Sequence, residues 1–103
     1  MIAITRYRVP GPEADGFAAQ MTSVLDALAA SPGYVSGRLA RTVDEPDLWA
    51  LITEWEGAGY YRRALGAYEV RLVFIPMAAM ALDEAGAYEV VSQRTAGSGQ
   101  DRL

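Results

Sequence analysis

An α+β fold of order β-α-β-β-α-β is predicted: the ferredoxin-like split βαβ arrangement, with a four-stranded antiparallel sheet and helices on one face. Three observations predict it. Strand-like segments bracket a long apolar stripe of helical period, Gly and Pro fall where each element must stop, and a short polar turn separates two central strands. Residues 2–9 alternate and are rich in β-branched and aromatic side chains, and Pro10-Gly11-Pro12 cannot continue a strand. Over residues 13–30, Phe17, Met21, Val24, Leu25 and Leu28 form one stripe of a 3.6-residue period. Ser31-Pro32-Gly33 ends that helix, because proline forbids its continuation and glycine tolerates positive φ. Residues 34–42 and 48–55 read as strands of a hairpin closed by Val43-Asp44-Glu45-Pro46-Asp47. A short helix over 57–65 is interrupted by Gly66, and a second over 67–75 stops ahead of Pro76. Residues 77–82 add a further turn. After the acidic turn Asp83-Glu84-Ala85-Gly86, residues 87–94 give the last strand. One domain over 1–94 is therefore expected, followed by a polar, glycine-rich, mobile tail over 95–103.

Composition narrows the chemistry. At 103 residues and 51% hydrophobic content there is room for one core and no second domain. No unbroken apolar run is long enough to span a bilayer, and the N-terminus lacks a cleavable signal layout, so a cytoplasmic protein with no membrane partner is expected. A net charge of −4 makes the chain a poor binder of phosphate backbones, and nucleic acid is not expected as a partner. His, Cys, Lys and Asn are all absent. Zinc sites of Cys/His type, thiol nucleophiles, Ser-His-Asp triads, lysine Schiff bases and histidine-ligated haem are excluded for want of the side chain.

Residues 48–55 read Leu-Trp-Ala-Leu-Ile-Thr-Glu-Trp, placing Leu48, Ala50 and Ile52 on one side and Trp49, Leu51 and Trp55 on the other. A sheet with one wet face should alternate apolar and polar residues. Here both sides are apolar, and a second copy of the same sheet is the simplest cover, so a homodimer is expected.

Candidate site residues each carry two readings. Trp49 and Trp55 can wall an aromatic ligand or serve as core and interface packing. Arg71 can stabilise an oxyanion or pair with Glu69 or a nearby loop carboxylate. Tyr61 or Tyr7 can donate or relay a proton, and Glu54 is a base if it faces the cavity. Met77 and Met80 can line a hydrophobic ligand site, although methionine in such a segment more often fills core gaps. Asp44, Glu45 and Asp47 lack calcium-loop spacing and read as a polar turn, so no metal is expected.

The Arg-Tyr-Arg of the opening strand, Ser-Pro-Gly-Tyr-Val-Ser-Gly, Leu-Ile-Thr-Glu-Trp-Glu, Tyr60-Tyr61-Arg62-Arg63 and the closing Ala87-Tyr88-Glu89-Val90-Val91 occur in an informative order. Together, over roughly residues 1 to 92, they resemble the antibiotic biosynthesis monooxygenase family of dimeric α+β barrels. The resemblance implies oxidation of a small aromatic phenol, anthrone or hydroquinone by molecular oxygen without a cofactor. It also implies an active-site Trp, Tyr and Arg at Trp55, Tyr61 and Arg71, with Tyr7, Trp49, Leu51, Phe74 and Met77 around the substrate. Leu51 stands where the family's polyketide branch has an active-site Asn. The positions that bear Asn, Trp and a haem-ligating His in haem-degrading relatives hold Tyr7, Ala64 and Phe74, which disfavours haem breakdown. The alternatives are a non-catalytic ligand-binding or dimerisation module of the same fold, or a cofactor-free polyketide cyclase.

Overall fold

The computed structural model describes residues 1–97. Residues 98–103 of the expected tail lie outside the described residues. Strands β1 (Ile2–Arg8), β2 (Tyr34–Arg41), β3 (Leu48–Trp55) and β4 (Ala87–Tyr88) form one antiparallel sheet in the order β2-β3-β1-β4. Helices α1 (Ala14–Ala29), α2 (Ala58–Gly66) and α3 (Tyr68–Phe74) complete the α+β ferredoxin-like fold, with 3-10 turns at Gly11–Glu13 and Ile75–Met80. Among the described residues, no helix is long and apolar enough to cross a membrane.

The core lies where the stripes predict. Helix α1 buries Phe17, Met21, Val24 and Leu28, each worth roughly 1.5–3 kcal/mol relative to exposure. Opposite them, the register aligns Tyr7 with Trp49, Thr5 with Leu51 and Ala3 with Thr53, and all of these side chains share one face of the sheet. Tyr7, Leu51, Thr53 and Trp55 on this face are buried. Gly33 turns the chain out of α1 with a φ of +83°, and a Cβ there would run into the Tyr60 ring of α2.

Several element ends differ from expectation for local reasons. Pro12 starts the first helical stretch as a 3-10 turn, so α1 begins at Ala14. Gly66 ends α2 rather than interrupting it, and extended Ala67 separates α2 from α3. Pro76 sits at the start of a 3-10 turn, where its missing N–H costs nothing, and α3 runs directly into that turn. The final strand is Ala87–Tyr88 alone, not 87–94. Antiparallel pairing of Ala3 with Ala87 and Ile2 with Tyr88 carries the chain past the start of β1, so Val90 and Val91 have no strand beside them among the described residues.

The other face of the sheet is less greasy than strand 3 alone suggests. Leu48 is only 6% exposed within the single chain, so its burial needs no partner. Ile2, Ile4, Ala50 and Ile52 are half-buried, but they share the face with Arg6, Arg38 and Glu54. Arg6 is held by Glu84 through a two-pronged ion pair at 2.6 and 2.8 Å. Arg6 holds the Glu84 carboxyl below its usual range, chiefly by hydrogen bonding.

Candidate active site

Trp55 closes β3 and is 2% exposed, with its indole N–H donating to Thr53 Oγ1 at 2.9 Å. Its ring meets Tyr34 edge-on at 5.3 Å and Tyr61 at 5.6 Å between centroids. Tyr61 reaches it from the first turns of α2. At the other end of β3, Phe17 of α1 is wedged between Tyr7 at 5.3 Å and Trp49 at 5.4 Å. The Arg41 guanidinium lies 4.7 Å over the Trp49 ring, fixed by a hydrogen bond from its Nε to the Pro46 carbonyl. Leu51 and Thr53 join the two ends, so β3 presents a continuous wall of Trp, Leu, Thr and Trp beneath the helices.

The electrostatics of this wall are those of donors. Burial pushes the Tyr7 phenol well above its ordinary pKa, and the charge of Tyr61 adds to the effect. Burial also raises Tyr61, against an opposing hydrogen bond with Thr5. Both phenols therefore keep their protons at neutral pH, which suits them to stabilise an oxyanion and not to act as bases. Tyr7 Oη and Trp49 Nε1 are fully buried and have no hydrogen-bond partner among the described residues. Such orphaned groups are uncommon, because each costs about 1–3 kcal/mol.

Residues 1–70 match the family model described as antibiotic biosynthesis monooxygenase. The chain belongs to the antibiotic biosynthesis monooxygenase family. Solved structures of similar fold include an alanine variant of SnoaB, a cofactor-independent oxygenase from Streptomyces nogalater. It is 23% identical with a TM-score of 0.78, over 89% of this chain and 93% of that one. Rv0793 from Mycobacterium tuberculosis is 12% identical with a TM-score of 0.73, over 91% and 97%. A conserved protein from Methanosarcina mazei Go1 is 13% identical with a TM-score of 0.71, over 84% of each chain. No curated protein matches the chain in sequence.

Among the residues that resemblance to this monooxygenase family singles out, the fold brings Trp55 and Tyr61 into contact and sets Tyr7, Trp49 and Leu51 on the same face. Met77 is buried in the same core, and Phe74 is packed against it. Arg71 is not brought to Tyr7, Trp55 or Tyr61, although it lines one outer hollow together with Phe74 and Leu65. Helix α3 turns Val70 inward, which leaves Arg71 exposed beside Tyr68, Leu72 and Ile75 on another outer hollow of about 480 Å³. Among the described residues Arg71 forms no salt bridge, with Glu69 or any other carboxylate. Glu54 is also outside the site. It is exposed on the opposite face beside Ser36, so it cannot be the base of a cavity under the helices. Glu45 and Asp47 both take the Arg8 guanidinium at 3.2 Å. Among the described residues no group of three His, Cys, Asp or Glu is placed to hold a metal.

Sequence reasoning missed Arg41, Phe17 and Thr5 as members of the site. Counting back across the hairpin from Trp49 reaches Arg41 on the same face, and counting two along the opening strand from Tyr7 reaches Thr5. Phe17 was legible only as core.

Proposed function

We propose that this chain is a cofactor-independent oxygenase that oxidises a small electron-rich aromatic molecule, of phenol, anthrone or hydroquinone type, and works as a homodimer. The observation that carries the reading is the pairing of two protonated phenols, Tyr7 and Tyr61, with the Trp55 wall on one dry face. A substrate of this class reduces oxygen itself once it is an enolate or phenolate, so the protein needs only to exclude water and stabilise the oxyanion. An anthrone enters as its enolate, the ring methylene having given its proton to bulk solvent before binding, and the enolate oxygen is held by the phenol donors. The carbanion passes electrons to dioxygen and forms a C–O bond. Loss of water from the resulting peroxide leaves a carbonyl, so one oxygen atom enters the product and the other leaves as water.

An oxygen electrode with a panel of anthrones and hydroquinones tests this. Wild-type protein is expected to raise uptake above the buffer rate, and Tyr61→Phe to lower that increment by roughly 10²-fold, as for loss of one oxyanion donor. No increment across the panel would reject the reading. One second reading has a specific observation behind it: Leu51 in place of the family's asparagine and the close packing around Trp55 favour a ligand-binding module that lacks turnover. Binding of panel compounds without any uptake would establish it.

The homodimer reading is supported by half-buried Ile2, Ile4 and Ile52 and by exposed Tyr88 on a sheet face that no helix of the described chain covers. Light scattering at micromolar concentration is expected to give about twice the chain mass. A stable monomer would contradict it.

A further inference from the structure

We propose that Tyr7 and Trp49 form an acceptor-binding end of the site, which receives a carbonyl or enolate oxygen of a planar aromatic ligand entering beside Phe17 and Met77. The aromatic nature of the ligand rests on the functional reading above; the acceptor rests on the residues themselves. Tyr7 and Trp49 are direct cross-strand partners on the helix-facing side, and both rings pack on Phe17. Their Oη and Nε1 are the two buried side-chain polar atoms without a partner among the described residues. An indole N–H only donates, so whatever satisfies Trp49 must be an acceptor. Arg41 over the indole ring draws electron density toward itself and makes that N–H a stronger donor.

Neither Tyr7 nor Trp49 lines a described hollow, and the proposed way in runs through yielding parts. A hollow of about 360 Å³ opens between the start of α1 and the Ile75–Met80 turn, with Phe17, Gln20, Met77 and Met80 among its lining residues and the Glu13 carboxylate at its edge. Phe17 and Met77 belong both to this hollow and to the core cluster that contains Tyr7 and Trp49. Methionine side chains repack at little cost, so a flat ring can replace them against Phe17 and bring its oxygen to the two donors. A ligand without an acceptor gains the same apolar contact and leaves both donors unpaired, which is the condition under which a polar site discriminates strongly.

The test is binding of anthrone, measured without oxygen by quenching of tryptophan fluorescence or by calorimetry. Dihydroanthracene, the same three-ring frame without the carbonyl, is the control. Anthrone is expected to bind wild-type protein at least about 10-fold more tightly than the control. Tyr7→Phe is expected to remove most of that preference while leaving Tm unchanged or raising it by up to roughly 8 °C, since it deletes an unsatisfied hydroxyl and little else. Trp49→Phe, read by calorimetry, is expected to remove the remainder. Equal binding of the two compounds, no binding of anthrone, or a Tyr7→Phe variant that keeps the preference would each overturn the assignment. So would a clear loss of stability in Tyr7→Phe, which would show the hydroxyl already partnered inside the protein. Oxygen uptake is scored separately. Turnover with unaltered binding in both variants rejects this inference and leaves the oxygenase reading standing, whereas carbonyl-dependent binding without turnover does the reverse.

Discussion

Trp55→Ala is expected to destabilise the chain by about 3–5 kcal/mol, a large part of the roughly 5–15 kcal/mol that holds a domain of this size folded. The indole is 2% exposed, touches Tyr34 on one side and Tyr61 on the other, and satisfies the buried Thr53 hydroxyl. Truncation opens a cavity between β3 and α2 and orphans Thr53 at once. Trp55→Phe should cost less, because it keeps an aromatic body between the two tyrosines and loses mainly the indole hydrogen bond. Urea unfolding measures both. A Trp55→Ala cost below about 1 kcal/mol would mean that the residue does not pin α2 to the sheet and that the aromatic wall is not rigid.

Leu51→Asn is expected to act in opposite directions on stability and activity. Leu51 is 3% exposed between Thr5 of β1 and Leu39 of β2. An amide there removes apolar burial and introduces a polar group without an assured partner, at a cost of roughly 2–4 kcal/mol. The same amide supplies the hydrogen-bonding side chain that resemblance to the polyketide branch places at this position. In the proposed oxygenase it adds a donor next to the phenols, and the oxygen-uptake increment should rise roughly 10-fold or more. A folded variant with an unchanged or smaller increment would show that Leu51 does not limit the chemistry.

The parts of the fold governed by local pattern were legible in the sequence. The strand over 48–55 has the predicted limits, and the 3.6-residue stripe from Phe17 to Leu28 identified the buried face of α1. What was not legible depends on where elements end relative to one another. The alternation over 87–94 is strand-like, but β1 offers only two residues for it to pair with. The burial of Leu48 in the single chain could not be deduced from alternation on strand 3 alone. In the site, Trp55 and Tyr61 meet because their six-residue spacing crosses from a strand end into the first turns of a helix. Arg71 has no such constraint. Its direction is set by which face of a two-turn helix carries Val70, and that follows from packing against α1 rather than from spacing. The positive charge that does stand over the wall, Arg41, was hidden in the hairpin register.

The most direct test of the oxygenase account uses isotope-labelled dioxygen with anthrone and metal-stripped protein, following both the rate of product formation and the label in the product. The account predicts quinone formation faster than in buffer, one labelled oxygen atom per product molecule, and collapse of the rate increment in Tyr61→Phe. Product that forms no faster than in buffer, or a new carbonyl oxygen derived from water, would contradict it.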